Sequence, residues 1–165
     1  MKKLKINITR VLIAIFVLAS FAACDEVGDN APGGTTVEAM AGSWFITLTD
    51  SNGKVIKENV LHSTYNTALN DNAMWIDDAK KGYVIKCKVT VDPKAETFTA
   101  ANATNVLDSG TVTITDGKIE KGAGVTRGGH KVDKISFKAH FSYDAGGYDI
   151  LYVGHRRTGF LEDEY

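Results

Sequence analysis

Residues Lys134–Tyr143 read KISFKAHFSY, and their polarity changes at every step. Ile135, Phe137, Ala139, Phe141 and Tyr143 fall on one side of an extended chain, and Ser136, Lys138, His140 and Ser142 on the other. In an α-helix the same residues would scatter around the axis, whereas a strand places every second side chain on one face. This stretch therefore predicts a β-strand with one buried and one solvated face.

The same period recurs in both directions along the chain. YVIKCKVTV (83–91) sets Tyr83, Ile85, Cys87, Val89 and Val91 against Val84, Lys86, Lys88 and Thr90. SWFITLT (43–49) sets Trp44, Ile46 and Leu48 against Phe45 and Thr47, and YDILYVGHRR (148–157) puts Arg156 on the face of Tyr148, Ile150 and Tyr152. VIKENVLHSTY, AMWIDD, TFTAANA and TVTITDGKIEKG read as further strands. Turn chemistry separates them: Asn52-Gly53, DPKAE, DAGG, and a second hairpin signal at Asp116-Gly117. GAGVTRGGHKV (122–132) is a glycine-dense loop or a sharply bent strand. In TTVEAMAG, Thr35 and Glu38 fit a capping box and Gly42 a helix end, which predicts a single helical turn. Eight or nine short strands joined by tight turns specify an all-β domain. Sequential hairpins favour an antiparallel up-and-down barrel of about eight strands over a sandwich.

The N-terminus departs from this pattern. Lys2, Lys3, Lys5 and Arg10 precede an apolar run, Val11–Ala23, that ends in small residues before Cys24. A basic region, an apolar core of about a dozen residues and a small-residue cut site describe an export signal, too short for a comfortable membrane span of roughly 20 residues. Removing the signal leaves 15 Lys+Arg against 20 Asp+Glu. An acidic exported chain without a basic stripe is a poor partner for nucleic acid. Of the two cysteines, Cys87 belongs to an apolar face and reads as a small buried hydrophobe. Cys24 resembles the cysteine of a bacterial lipobox, with Phe21 replacing the usual Leu three positions before it. That resemblance implies cleavage before Cys24, a diacylglycerol on its thiol, and a lipid anchor in the membrane. The following CDEVGDNAPGGTT reads as a tether, and its early acidic residues look like the export tags of Bacteroidetes surface lipoproteins. The chain thus divides into a lipoprotein signal peptide at 1–23, a lipidated cysteine and tether at 24–41, and a barrel domain at 42–165.

Gly42-Ser43-Trp44 opens the first strand as G-x-W, and GHRRTGF (154–160) closes the last with basic residues. That pairing resembles the calycin signature of lipocalins and their relatives. The resemblance implies a calycin-like barrel closed at one end by Arg156 over Trp44. The lipobox, GSWFITLTD, MWIDD and GHRRTGF together resemble a Bacteroidetes lipoprotein family whose members are described as lipid-binding putative hydrolases. The resemblance spans Gly42–Phe160 and brings no catalytic residues with it.

The residues themselves point to no catalytic centre. G-x-S-x-G is absent, and no helix follows a strand to build a nucleophile elbow. His62, His130, His140 and His155 have no tight ligand spacing, so no metal or cofactor is expected. His62 and His155 end strands, where a surface or rim place is the default, and LEDEY reads as solvated terminal charge. The aromatic residues either fill a core or line a cavity. On the cavity reading the lining is Trp44, Ile46, Leu48, Tyr83, Ile85, Phe137, Phe141 and Tyr152, and the ligand is a lipid or other hydrophobic small molecule. Trp75 is a rim aromatic or an outer-face contact. The expected function is hydrophobic-ligand binding by a lipoprotein on the periplasmic or cell-surface face of the outer membrane. Enzyme activity stays open, the alternatives being an esterase-like hydrolase and an accessory subunit that docks an outer-membrane complex through Phe45 and Trp75.

Overall fold

The computed structural model describes residues 34–165. The expected signal segment at 1–23, Cys24 and the first part of the tether lie outside the described residues. Eight strands follow in order: β1 (Gly42–Asp50), β2 (Val55–Asn66), β3 (Ala73–Asp77), β4 (Lys86–Asp92), β5 (Thr97–Thr104), β6 (Thr111–Val125), β7 (Lys131–Phe141) and β8 (Ile150–Arg156). Each pairs antiparallel with the next, and β1 pairs with β8, so the sheet closes as the expected up-and-down barrel.

KISFKAHFSY supplies most of β7, and its alternation survives in space: Ile135, Phe137, Ala139 and Phe141 are buried. Several sequence expectations change. Asp116-Gly117 is not a hairpin turn but a bulge inside β6, where pairing with both neighbours shifts register. Asp116 takes φ 54°, and a Cβ on Gly117 would sit 2.2 Å from the Phe98 carbonyl oxygen, so the pair serves close packing against β5. The turn comes later, at Thr126–His130, where the Thr126 hydroxyl accepts from His130 N–H at 3.0 Å. The glycine-dense stretch is thus a bent strand end followed by a tight turn. The second change is at the N-terminus. Thr35–Ala41, expected within the tether, packs as part of the compact unit Thr35–Tyr165. Its turn is 3-10, Glu38–Met40, without a side-chain cap, and it buries Val37 and Met40 completely.

One end of the barrel is sealed by that turn and by Arg156. The guanidinium lies 4.6 Å from the Trp44 ring centroid, and it donates to the Ala41 carbonyl at 2.8 Å and to Asp133 at 3.1 Å. Cation–π attraction of this kind is worth about 0.5–2 kcal/mol. Beneath it Trp44 Nε1 donates to Thr64 Oγ1, which donates in turn to the Met40 carbonyl, so the buried indole N–H is satisfied.

β8 runs on into a tail that folds back over the outside of β1. Tyr165 meets Phe45 edge-on at 4.9 Å, and Arg157 lies over the same ring. Asp163, expected as solvated charge, is 1% exposed. It accepts hydrogen bonds from Gly128 N–H, Thr158 and His130, tying the tail to the β6–β7 turn.

Two predictions follow from this closure. A Cβ on Gly154 would lie 2.2 Å from the Phe45 carbonyl oxygen and 2.7 Å from Ile46 Cα. Neither is a flexible side-chain end, so Gly154→Ala should cost about 1–3 kcal/mol. Gly146, with nothing within 4 Å of its Cβ position, should tolerate alanine within about 0.5 kcal/mol. Urea unfolding of the two variants, with equal midpoints, would refute the close-approach argument. For Asp163, burial pushes the carboxyl up, but hydrogen bonds from Thr126, Thr158, His130 and Gly128 outweigh it and hold the acid well below the usual carboxylate range. Its folded pKa lies below its unfolded one, so its contribution is full above about pH 4 and is lost as pH falls below that. Asp163→Asn should therefore lower the melting temperature at pH 7 and progressively less in acid. A melting difference that is the same at pH 7 and pH 2.5 would sink this account.

Candidate functional site

The inward face converges the residues predicted to line a cavity. Trp44, Leu48, Ile85, Phe141 and Tyr152 are 0% exposed, and Ile46 and Phe137 are 1% exposed. No water-sized void touches a side chain with zero exposure, so these residues pack against one another. Phe137 stacks on Tyr152 at 4.4 Å, and Phe98 meets Phe137 at 5.7 Å. Tyr83 stands apart from the set. It is half-buried at the second end of the barrel, against Phe141 at 4.9 Å, with its hydroxyl donating to Asp144 at 3.1 Å.

That second end is closed differently from the first. The segment Asp78–Ile85, between β3 and β4, covers it, with Ala79, Lys80 and Val84 all at positive φ. Such backbone costs of order 1 kcal/mol or more per residue and persists only where surroundings impose it. One imposing group is the buried Asn105. Its side chain accepts from Lys86 N–H at 3.0 Å and donates to the Val84 carbonyl at 2.7 Å, replacing the ladder that Val84 breaks. The strand expected from Tyr83 consequently begins only at Lys86. Asp78, 0% exposed, accepts from the N–H groups of Lys80 and Gly82.

Below this segment the interior holds polar groups that alternation did not anticipate. His62, expected at a surface or rim, is 1% exposed. The register explains it: His62 is directly opposite Trp44, an inward residue, and one step from Ser63, the partner of Asp77. Its Nδ1 is 2.9 Å from the Val60 carbonyl, so Nδ1 carries the proton and Nε2 is left as an acceptor. Burial pushes the imidazole pKa down, against the Val60 carbonyl and the charges of Asp78 and Asp77, which favour protonation. Tyr152 crosses its ring at 5.7 Å. Among the described residues the side-chain atoms buried without a hydrogen-bond partner are His62 Nε2, Tyr152 Oη and Asp144 Oδ2. All three belong to this end. Each such group costs about 1–3 kcal/mol while unpaired.

A closed eight-stranded barrel with an apolar interior and unpaired polar atoms near one end fits hydrophobic-ligand binding. The sequence model of one family, described as "Lipid-binding putative hydrolase", matches residues 29–161. The chain belongs to this family. No curated relative matches it.

Both halves of the family description have chemical requirements. Hydrolysis by a hydroxyl or thiol needs that group beside a base. Among the described residues no Ser, Thr or Cys is hydrogen-bonded to a histidine ring nitrogen. His130 Nδ1 and His140 Nδ1 bond Asp163 and Asp149 at 2.9 and 3.1 Å, and His155 Nε2 bonds Tyr165. The Cys87 thiol, buried in the core, is pushed up to about 12 and is inert at neutral pH. Among the described residues there is no group of three or more His, Cys, Asp or Glu placed to hold a metal ion. Outside the barrel, Phe45 is covered by the tail and is 6% exposed, so it presents no docking patch. Trp75 lies on the outer face under the ammonium groups of Lys88 and Lys86, at 5.1 and 5.6 Å. It borders a shallow groove of about 340 Å³ with Lys88, Ala103, Thr104 and Val106.

Asn105 is the residue on which the covering segment depends. Asn105→Ala leaves the Lys86 N–H and the Val84 carbonyl unpaired, and should cost about 1–3 kcal/mol. Amide hydrogen exchange should quicken across 78–86 more than in β6 and β7. Uniform quickening across the barrel would contradict a local role.

Proposed function

We propose that this protein is a membrane-anchored lipoprotein that binds a lipid or similar hydrophobic small molecule in its barrel. The anchor is the acylated Cys24, and the site is the outer membrane, on its periplasmic or cell-surface face. The single observation that carries the binding reading is the barrel interior. Seven of the eight expected lining residues, all but Tyr83, are buried within one closed apolar barrel, whose family is described as lipid-binding.

The packed interior dictates how binding works. The first end is held by Arg156 with direct hydrogen bonds to two carbonyls and a carboxylate, the second by a segment with positive-φ backbone. An alkyl chain therefore enters at the second end, displacing Phe141 and Tyr83 from their mutual contact. Each CH₂ transferred from water contributes about 0.8 kcal/mol, so a chain of ten or more carbons outweighs the repacking. Two or more acyl groups on Cys24 suffice for stable anchoring.

Two measurements test the two halves separately. Cys24→Ser should move the protein from the membrane fraction to the soluble one without changing its circular dichroism. The same variant, purified without detergent, should bind a fluorescent long-chain alkyl probe saturably at one per chain, with blue-shifted emission. Retention of Cys24→Ser in membranes would remove the anchor, and unsaturable binding with water-like emission would remove the ligand.

A further inference from the structure

From the unpaired atoms under the Asp78–Ile85 segment we infer that they form a head-group site for an uncharged hydroxyl, as in a long-chain alcohol or monoacylglycerol. The inference rests on the lipid-binding reading and narrows it to one ligand chemistry.

The hydrogen-bond inventory sets that chemistry. His62 Nδ1 is committed to the Val60 carbonyl at 2.9 Å, so Nε2 can only accept. Tyr152 Oη is a phenol with a proton to donate and no partner. A ligand hydroxyl that parts these packed groups as the chain enters satisfies both, donating to His62 Nε2 while accepting from Tyr152 Oη. The two rings already meet edge to face at 5.7 Å. Gly82 of the covering segment packs directly over this pair, because a Cβ there would come within 3.3 Å of the His62 ring and 2.7 Å of Asp78 Oδ2, so the segment must move for a ligand to reach them.

Charge disfavours the common alternative, a carboxylate head group. The His62 ring crosses that of Tyr152, and the charges felt most at the Tyr152 hydroxyl come from Asp78 and Tyr83 of the covering segment, Tyr143 of the β7–β8 connection and Cys87 of β4. Asp144, with Oδ2 unpaired, follows Tyr143. This set contains no lysine or arginine. Lys57 reaches the covering segment only from outside, donating to the Lys81 carbonyl. A ligand carboxylate would be buried near the Asp78 carboxyl with one neutral donor to hold it, which is unfavourable. Burial also pushes the His62 pKa down in the free protein, so charging the ring to meet a carboxylate would cost binding energy.

The test uses the detergent-free Cys24→Ser chain with 1-dodecanol and dodecanoate at pH 7.5, each competed against the fluorescent probe. Dodecanol should bind at least about tenfold tighter than dodecanoate. Tyr152→Phe should weaken dodecanol about tenfold. Because the phenol is unpaired in the free protein, Tyr152→Phe should keep or raise the melting temperature, whereas a structural hydroxyl would lower it. Dodecanoate binding as tightly as dodecanol, or Tyr152→Phe with unchanged dodecanol affinity, overturns the inference and leaves lipid binding standing. Failure of both compounds and the probe to bind overturns the lipid-binding reading itself.

Discussion

Every other feature of this molecule depends on β1 finding β8. Seven consecutive residue pairs, Trp44 with Arg156 through Asp50 with Ile150, zip the first strand to the last without a bulge. That pairing removes both sheet edges at once, which open antiparallel sheets must protect by other means. It also curls the sheet so that alternate residues of eight strands face one another. The register is tight because Gly154 lets β8 lie directly against the backbone of Phe45 and Ile46. Arg156 stands over Trp44 because the two are directly opposite in that register.

Closure leaves two ends, and the chain treats them unequally. The first is over-determined: an indole, a guanidinium, Asp133 and the carbonyls of the N-terminal turn satisfy one another. The second is closed by strained backbone over donors and acceptors without partners. Unpaired groups raise the free energy of the closed form and lower that of any form in which a ligand pairs them. The asymmetry gathers satisfied hydrogen bonds at one end and leaves strained backbone and unpaired atoms at the other, so on the binding reading proposed above ligand exchange belongs to the second end.

How much of this was legible in the sequence depends on which physical rule governs each residue. Where one rule dominates, as in KISFKAHFSY, period-two alternation gave both the strand and its buried face. The closing contact of Arg156 with Trp44 came into view through the calycin resemblance together with the face shared by Arg156, Tyr148, Ile150 and Tyr152. Asp116-Gly117 misled because positive φ serves bulges as well as turns, and only the neighbouring Phe98 distinguishes them. His62 was hidden because a strand end reads as a surface or rim place, and Thr64 because its position carries no sequence signal. Barrel shear instead puts the far end of β2 inside, where Thr64 is bonded and His62 half-bonded. Asp163 was hidden because all its partners but Thr158 lie more than thirty residues away in the chain, among them Gly128 and His130. Asn105 carried no signal at all, since replacing a missing ladder is a property of tertiary context.

The pairing of the first strand with the last also sets a timetable. During synthesis β1 is made before any of its two partners, and one of its edges stays bare until the final strand exists. The contact that completes the barrel, Arg156 with the Ala41 carbonyl, spans 115 positions, so its formation carries nearly the full loop-closure entropy of the domain. A partly made chain has hairpins but no interior sealed from water. Such a topology folds late and comparatively slowly, and a chain that folds late remains threadable for longer, which suits the outer-membrane destination proposed above.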